Sequence, residues 1–112
     1  MQKIYVKPKD YWMNDPNGFI YYKGMYHLFY QCFPYGPRWG RMHWGHVVSK
    51  DLVNWEQLPS PLNRVSQLDM LGDPTSGGIW APDLTYDGKR FYLVFTDVKT
   101  KKGRYYNNHN YV

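Results

Sequence analysis

The chain has 112 residues, a formal net charge of +5, one cysteine and 20% aromatic residues, with 12 Tyr and 5 Trp. That length suits one small domain; the single Cys32 excludes an intrachain disulfide, and no run is long and apolar enough to span a membrane. The start MQKIYVKPKD lacks the apolar segment of a secretion signal, so a cytoplasmic location is expected, although a clipped leader or an incomplete gene would give the same sequence.

Helical periodicity is almost absent, and Gly and Pro punctuate short aromatic runs, which predicts an all-β fold. In chain order, residues 19–22 read as a strand, Lys23-Gly24 as a turn, residues 25–32 as an aromatic strand, 43–49 as a third and 55–58 as a short fourth. Four such strands in succession make one antiparallel propeller blade, assigned to residues 1–58. Residues 59–78 lack periodicity and read as an inter-blade loop. Residues 79–112 restart the pattern: a strand over 79–86, a turn at Asp87-Gly88-Lys89, a strand over 90–98, a polar turn over 99–103 and a further strand from His109. Each blade packs only on its neighbours, so a blade and part of another predict a homo-oligomer through exposed blade faces, marginal stability, or a longer parent protein.

Positive charge gathers at Lys99, Lys101, Lys102 and Arg104. With no nucleic-acid-binding motif beside it, this cluster reads as a solvated hairpin loop, and neither a nucleic-acid nor a membrane partner is expected. The aromatic excess suits either a Tyr-rich β core or strand ends that meet flat, hydroxyl-rich ligands. Cys32 reads as a buried core thiol. The histidines His27, His43, His46 and His109 lack partners at ligand spacing, and His43 and His46 fall on opposite faces of a strand, so no metal and no cofactor are expected.

The chemistry-bearing segment is WMNDPNG, residues 12–18. Asp15 is expected in a turn just before the first strand, between the amides of Asn14 and Asn17. On residue types alone a plain Asx turn is the favoured reading, and the alternative is a carboxylate held by amides near an anomeric carbon. WMNDPNG, followed by YHLFYQ and WGRMHWGHVVSKDLVNWE, resembles glycoside hydrolase family 32 over residues 10–60. The resemblance implies a five-bladed β-propeller in which Asp15 is the catalytic nucleophile. It implies that Asn14, Gln31 and Trp39 line the fructosyl pocket and that Trp44 supports its wall.

Residues 49–112, with SGGIWAPDLTYDGKRFYLVFTDVK and HNYV, instead resemble the xylosidase and arabinofuranosidase branch of glycoside hydrolase family 43. That resemblance implies a sugar subsite at Trp80, with Asp83 anchoring a loop or bordering the pocket, and places His109 on an inner strand. SKDLVNWE fits both families, so the chain resembles a chimera joined at residues 49–56. The two resemblances imply different roles for Asp15: a nucleophile in a retaining mechanism, or a base in an inverting one. Neither family's acid motif is present, and the one glutamate, Glu56, reads as solvated. The expectation is a glycoside hydrolase acting on β-fructosides or β-xylosides and arabinosides, with an oligosaccharide or glycoside as partner, inert as these residues alone. The alternative is a sugar-binding or structural propeller fragment without chemistry.

Overall fold

The computed structural model describes residues 6–8, 10–71, 73, 76–99 and 107–112. Lys101, Lys102 and Arg104 of the expected basic loop lie outside the described residues. The described elements are all strands: β1 (Trp12–Tyr22), β2 (Met25–Phe33), β3 (His43–Ser49), β4 (Glu56–Leu58), β5 (Gly78–Tyr86), β6 (Phe91–Lys99) and β7 (Asn107–Tyr111). They form two antiparallel meanders, one of β1-β2-β3-β4 and one of β5-β6-β7. A described helix long and apolar enough to cross a membrane is absent.

The alternation of side chains in β2 explains why the first sheet has two apolar faces. Phe29 and Phe33 join Trp44, Met42 and Ile79 in the core between the sheets. The intervening Tyr30 and Cys32 join Val47 on the opposite face, where Val6, Tyr11 and Trp55 cover them. Burial without a charged neighbour pushes the Cys32 thiol up to about 12, so it stays protonated and unreactive.

The two sheets are joined by a short parallel bridge. Met42 N donates to Gly77 O at 2.9 Å, and Ile79 N donates to Met42 O at 2.8 Å. Gly78 makes this approach feasible. Its φ is +91°, and a Cβ there would lie 2.4 Å from the Met42 oxygen.

Three sequence expectations change. The WMNDPNG segment is not a turn before a strand but the first part of β1 itself. Lys99 is not in a solvated loop; it ends β6 and reaches the buried carboxylates of Asp97, at 2.9 Å, and Asp73, at 3.4 Å. His109 is not on an inner strand: β7 is the third strand of its sheet, and β5 is the strand that meets β1.

Candidate functional site

The register of β1 against β2 builds the site. Met13 pairs with Cys32, Pro16 with Tyr30 and Phe19 with Leu28, so one extra β1 residue enters on each side of Pro16. Asn14 and Asp15 together oppose Gln31, and Asn17 and Gly18 together oppose Phe29. Such bulges break strict alternation and re-aim side chains, and Pro16, which lacks an N–H, fits a position where the ladder is interrupted. The first strand of the second sheet does the same. Between Trp80 and Asp83 one residue is extra, Ala81 takes a φ of +42° and Pro82 follows it.

These irregular segments meet across the sheets around a cavity of about 460 Å³, lined by Asn14, Asp15, Asn17, Gln31, Trp39, Trp80, Ala81 and Pro82. Asp15 is exposed to it. The amides beside Asp15 form a directed chain. Trp12 Nε1 donates to Asn14 Oδ1 at 3.2 Å, Asn14 Nδ2 to Gln31 Oε1 at 3.1 Å, and Gln31 Nε2 to the Ile79 carbonyl at 2.7 Å. Gln31 is buried, so this last bond also fastens the cavity floor to the second sheet. Trp39 packs edge-on against Trp12 with ring centroids 6.0 Å apart. Trp80 stands opposite, its indole donating to the Ser76 carbonyl at 3.2 Å.

Asn14, Asp15, Gln31, Trp39 and Trp80 are thus brought together, whereas two candidates fall elsewhere. Trp44 does not line this cavity. It is 1% exposed, stacks on Phe29 at 4.5 Å and donates its Nε1 to Asn17 Oδ1 at 2.8 Å, so it supports the wall from behind. Asp83 is exposed on β5 outside the lining, because the bulge that ends at it carries Ala81 and Pro82 to the wall instead. Glu56 is exposed on β4. Asn17 was present in the sequence as turn chemistry, but its place on the wall depends on the bulge and gave no signal of its own.

A second cleft, of about 360 Å³, opens between the sheets and is almost wholly apolar. His27 and His46 face one another there, Nδ1 to Nε2, at 3.0 Å, and share one N–H. Burial, then the neighbouring His27, pull the His46 pKa down to about 4. Among the described residues no three His, Cys, Asp or Glu side chains converge as a metal site.

Comparison with known proteins gives this geometry its context. Residues 5–112 match the model of the glycosyl hydrolases family 32 N-terminal domain. The levanase of Bacillus subtilis is 69% identical over 60 residues, 54% of this chain and 9% of that protein. The β-xylosidase of the same organism is 56% identical over 64 residues, 57% of this chain and 12% of that protein. The chain therefore spans about a tenth of the length of these curated relatives. The solved β-fructofuranosidase of Bombyx mori superposes with a TM-score of 0.71 at 40% identity, over 95% of this chain and 21% of that one, and a point mutant of it is solved in complex with sucrose. The two meanders are accordingly the first blade and part of the second of a five-bladed β-propeller.

Proposed function

The chain belongs to glycosyl hydrolase family 32, and from that premise we propose that its cavity is the glycosyl subsite of an enzyme that hydrolyses β-fructosides. One observation carries the reading: the bulged β1 presents Asp15 to a cavity walled by Trp39 and Trp80 and floored by amides. Cleaving a glycosidic bond needs a carboxylate at the anomeric carbon, flat apolar surface for the sugar ring and donors for its hydroxyls. Asp15 is the carboxylate, Asn14 and Gln31 the donors, and Trp39 and Trp80 the apolar walls. Trp44 acts indirectly, through Asn17, and Asp83 is left without a part in binding.

The domain reading belongs to the same proposal: blade one over residues 1–58, a connecting loop over 59–78, and the second blade from 79. So does a join at residues 49–56. Its support is that levanase and β-xylosidase relatives each align with a little over half of the chain. The β-xylosidase likeness also favours a second reading, in which the cavity takes a β-xyloside and Asp15 activates a water instead of attacking the sugar.

Titration of intrinsic Trp fluorescence with sucrose and with xylobiose separates the two sugars. Saturable binding of sucrose, lost in Trp39→Ala, is expected; binding of xylobiose alone selects the second reading. In a complete propeller headed by these residues, Asp15→Asn is expected to lower kcat for sucrose by a factor of about 10³ with KM little changed. Undiminished hydrolysis in that variant removes Asp15 from the chemistry. The 112-residue polypeptide itself is expected to release no 4-nitrophenol from a nitrophenyl xyloside.

A further inference from the structure

Asn17 borders the same cavity as Asp15, and its orientation is dictated by its neighbour. An indole N–H can donate but never accept. Trp44 Nε1 lies 2.8 Å from the Asn17 side chain, so the amide oxygen must face Trp44 and the amide nitrogen must face elsewhere. Trp44 is fully buried and stacked on Phe29 of β2, which holds its indole N–H toward Asn17. Asn17 Nδ2 has no hydrogen-bond partner among the described residues.

The same reasoning applies to the other two amides. The Trp12 indole engages Asn14 Oδ1, and Asn14 Nδ2 engages Gln31 Oε1. All three wall amides have their oxygens turned to protein donors. The wall therefore offers N–H groups, with Asp15 as the one carboxylate among the described lining residues. Such a wall favours ligand groups that accept from an amide and donate to a carboxylate at once. A hydroxyl does both, and an ammonium group cannot accept.

We propose that Asn17 is a further sugar-binding residue, its Nδ2 donating to a hydroxyl oxygen of the glycosyl unit held at Asp15, with Trp44 as the positioning residue that fixes this orientation. The proposal rests on the glycosidase reading of the cavity and adds a contact to it.

Calorimetric titration with sucrose tests it on the protein and two variants. Asn17→Asp keeps an oxygen for Trp44 and deletes the N–H donor; affinity is expected to fall about tenfold with an unchanged melting temperature. Trp44→Phe keeps the ring and deletes the indole N–H, freeing Asn17 to turn; a loss of about threefold is expected, and this variant decides if Asn17→Asp fails to fold. Among monodeoxy analogues of methyl β-fructofuranoside, one must bind the protein and Asn17→Asp equally, because it lacks the hydroxyl concerned, which separates a lost contact from added charge. Unchanged sucrose affinity in Asn17→Asp, or a lowered melting temperature with affinity intact, makes Asn17 purely structural and overturns the proposal. Sucrose binding that depends on Trp39 but not on Asn17 sinks this inference alone; a folded protein that binds no sucrose sinks it together with the glycosidase reading.

Discussion

The two sheets solve the same folding problem with different means. The first hides both faces: β2 and β3 are buried between the inter-sheet core and the cluster of Tyr30, Cys32 and Val47, which the segment around Val6 and Tyr11 covers. The second buries Ile79 and Phe95 toward its neighbour, while Tyr92 and Val94, on the opposite face of β6, are exposed. It also buries charge. Asp97 and Asp73 have fully buried side chains, and Lys99 spans them and the Asp69 carbonyl. The first sheet thus rests on apolar cover, and the second depends on one ammonium group at the end of its central strand. The site straddles this divide, with Asp15 on the well-covered side and Trp80 on the other.

The sharpest break of that comparison is Lys99→Ala. The Asp97 Oδ2 contact with Lys99 is an ion pair without hydrogen-bond geometry, and Asp73 Oδ2 and both Asp97 oxygens have no hydrogen-bond partner among the described residues. Burial lowers the Lys99 pKa, but the two carboxylates outweigh it and hold the group charged; burial, and then Asp97, raise the Asp73 pKa. Removing the cation leaves two buried carboxylates uncompensated, with an expected loss of about 3–5 kcal/mol in urea unfolding. The damage should be local: amide exchange in β5 and β6 accelerates while β2 and β3 keep their protection. Uniform loss across both sheets would refute a division of labour between them.

That triad also shows where the sequence stops being informative. Strand positions and the Lys23-Gly24 turn follow from local composition, because Gly sets the turn and aromatic alternation sets the faces. Lys99 does not: its partner Asp73 comes from the connecting loop, 26 residues away, so in the sequence it looks like one of a run of exposed lysines. Asp15 is an intermediate case. Asn-Asp-Pro-Asn-Gly carries turn chemistry, yet pairing with the buried β2 draws it into a strand and turn propensity survives only as two bulges. Trp44 lay in the right motif, but which side of the wall it supports depends on β3 register. The His27–His46 contact needs that register too, since His27 pairs with Val48 and His46 with Phe29.

The second prediction concerns pH and the seam between the sheets. His46 stacks on Phe29 at 4.2 Å and faces His27, and among the described residues no carboxylate lines their cleft. Its pKa is about 4 in the folded chain, against 6.5 as the ordinary value. Above pH 6.5 both folded and unfolded forms are neutral, so stability is complete. As pH falls from 6.5 toward 4 the unfolded chain gains a proton that the folded chain refuses, and stability drops; below 4 this group adds no further slope. His43 acts in the same direction, its pKa lowered by burial and then by Arg41. With solvent screening at the cleft mouth, a loss of about 1–2 kcal/mol between pH 7 and pH 4 is expected. His46→Phe, which preserves the stack, should flatten that part of the curve. An equally steep acid limb in the variant would move the cause to another group.

The smallest expected effect comes from comparing the two hairpins. The β1–β2 connection is a two-residue turn in which Lys23 has a φ of +48° and Gly24 of +78°, both left-handed, as the twist of a tight hairpin requires. The β5–β6 connection places only Gly88, at +95°, in that region, and Asp87 accepts the Lys89 and Arg90 N–H groups, so its lysine carries no such strain. Lys23→Asn puts a residue that tolerates the left-handed conformation where a long side chain now sits. It forfeits the Lys23 ammonium over the Tyr22 ring, 5.3 Å from its centroid, a contact worth about 0.5 kcal/mol when exposed. Relief of about 1 kcal/mol of backbone strain exceeds that loss, so a net gain of about 0.5 kcal/mol, or about 2 °C in melting temperature, is expected. Lys89→Asn, the same change where no strain exists, should leave the melting temperature where it was. Equal shifts at both positions would show that charge, and not backbone geometry, distinguishes the two turns.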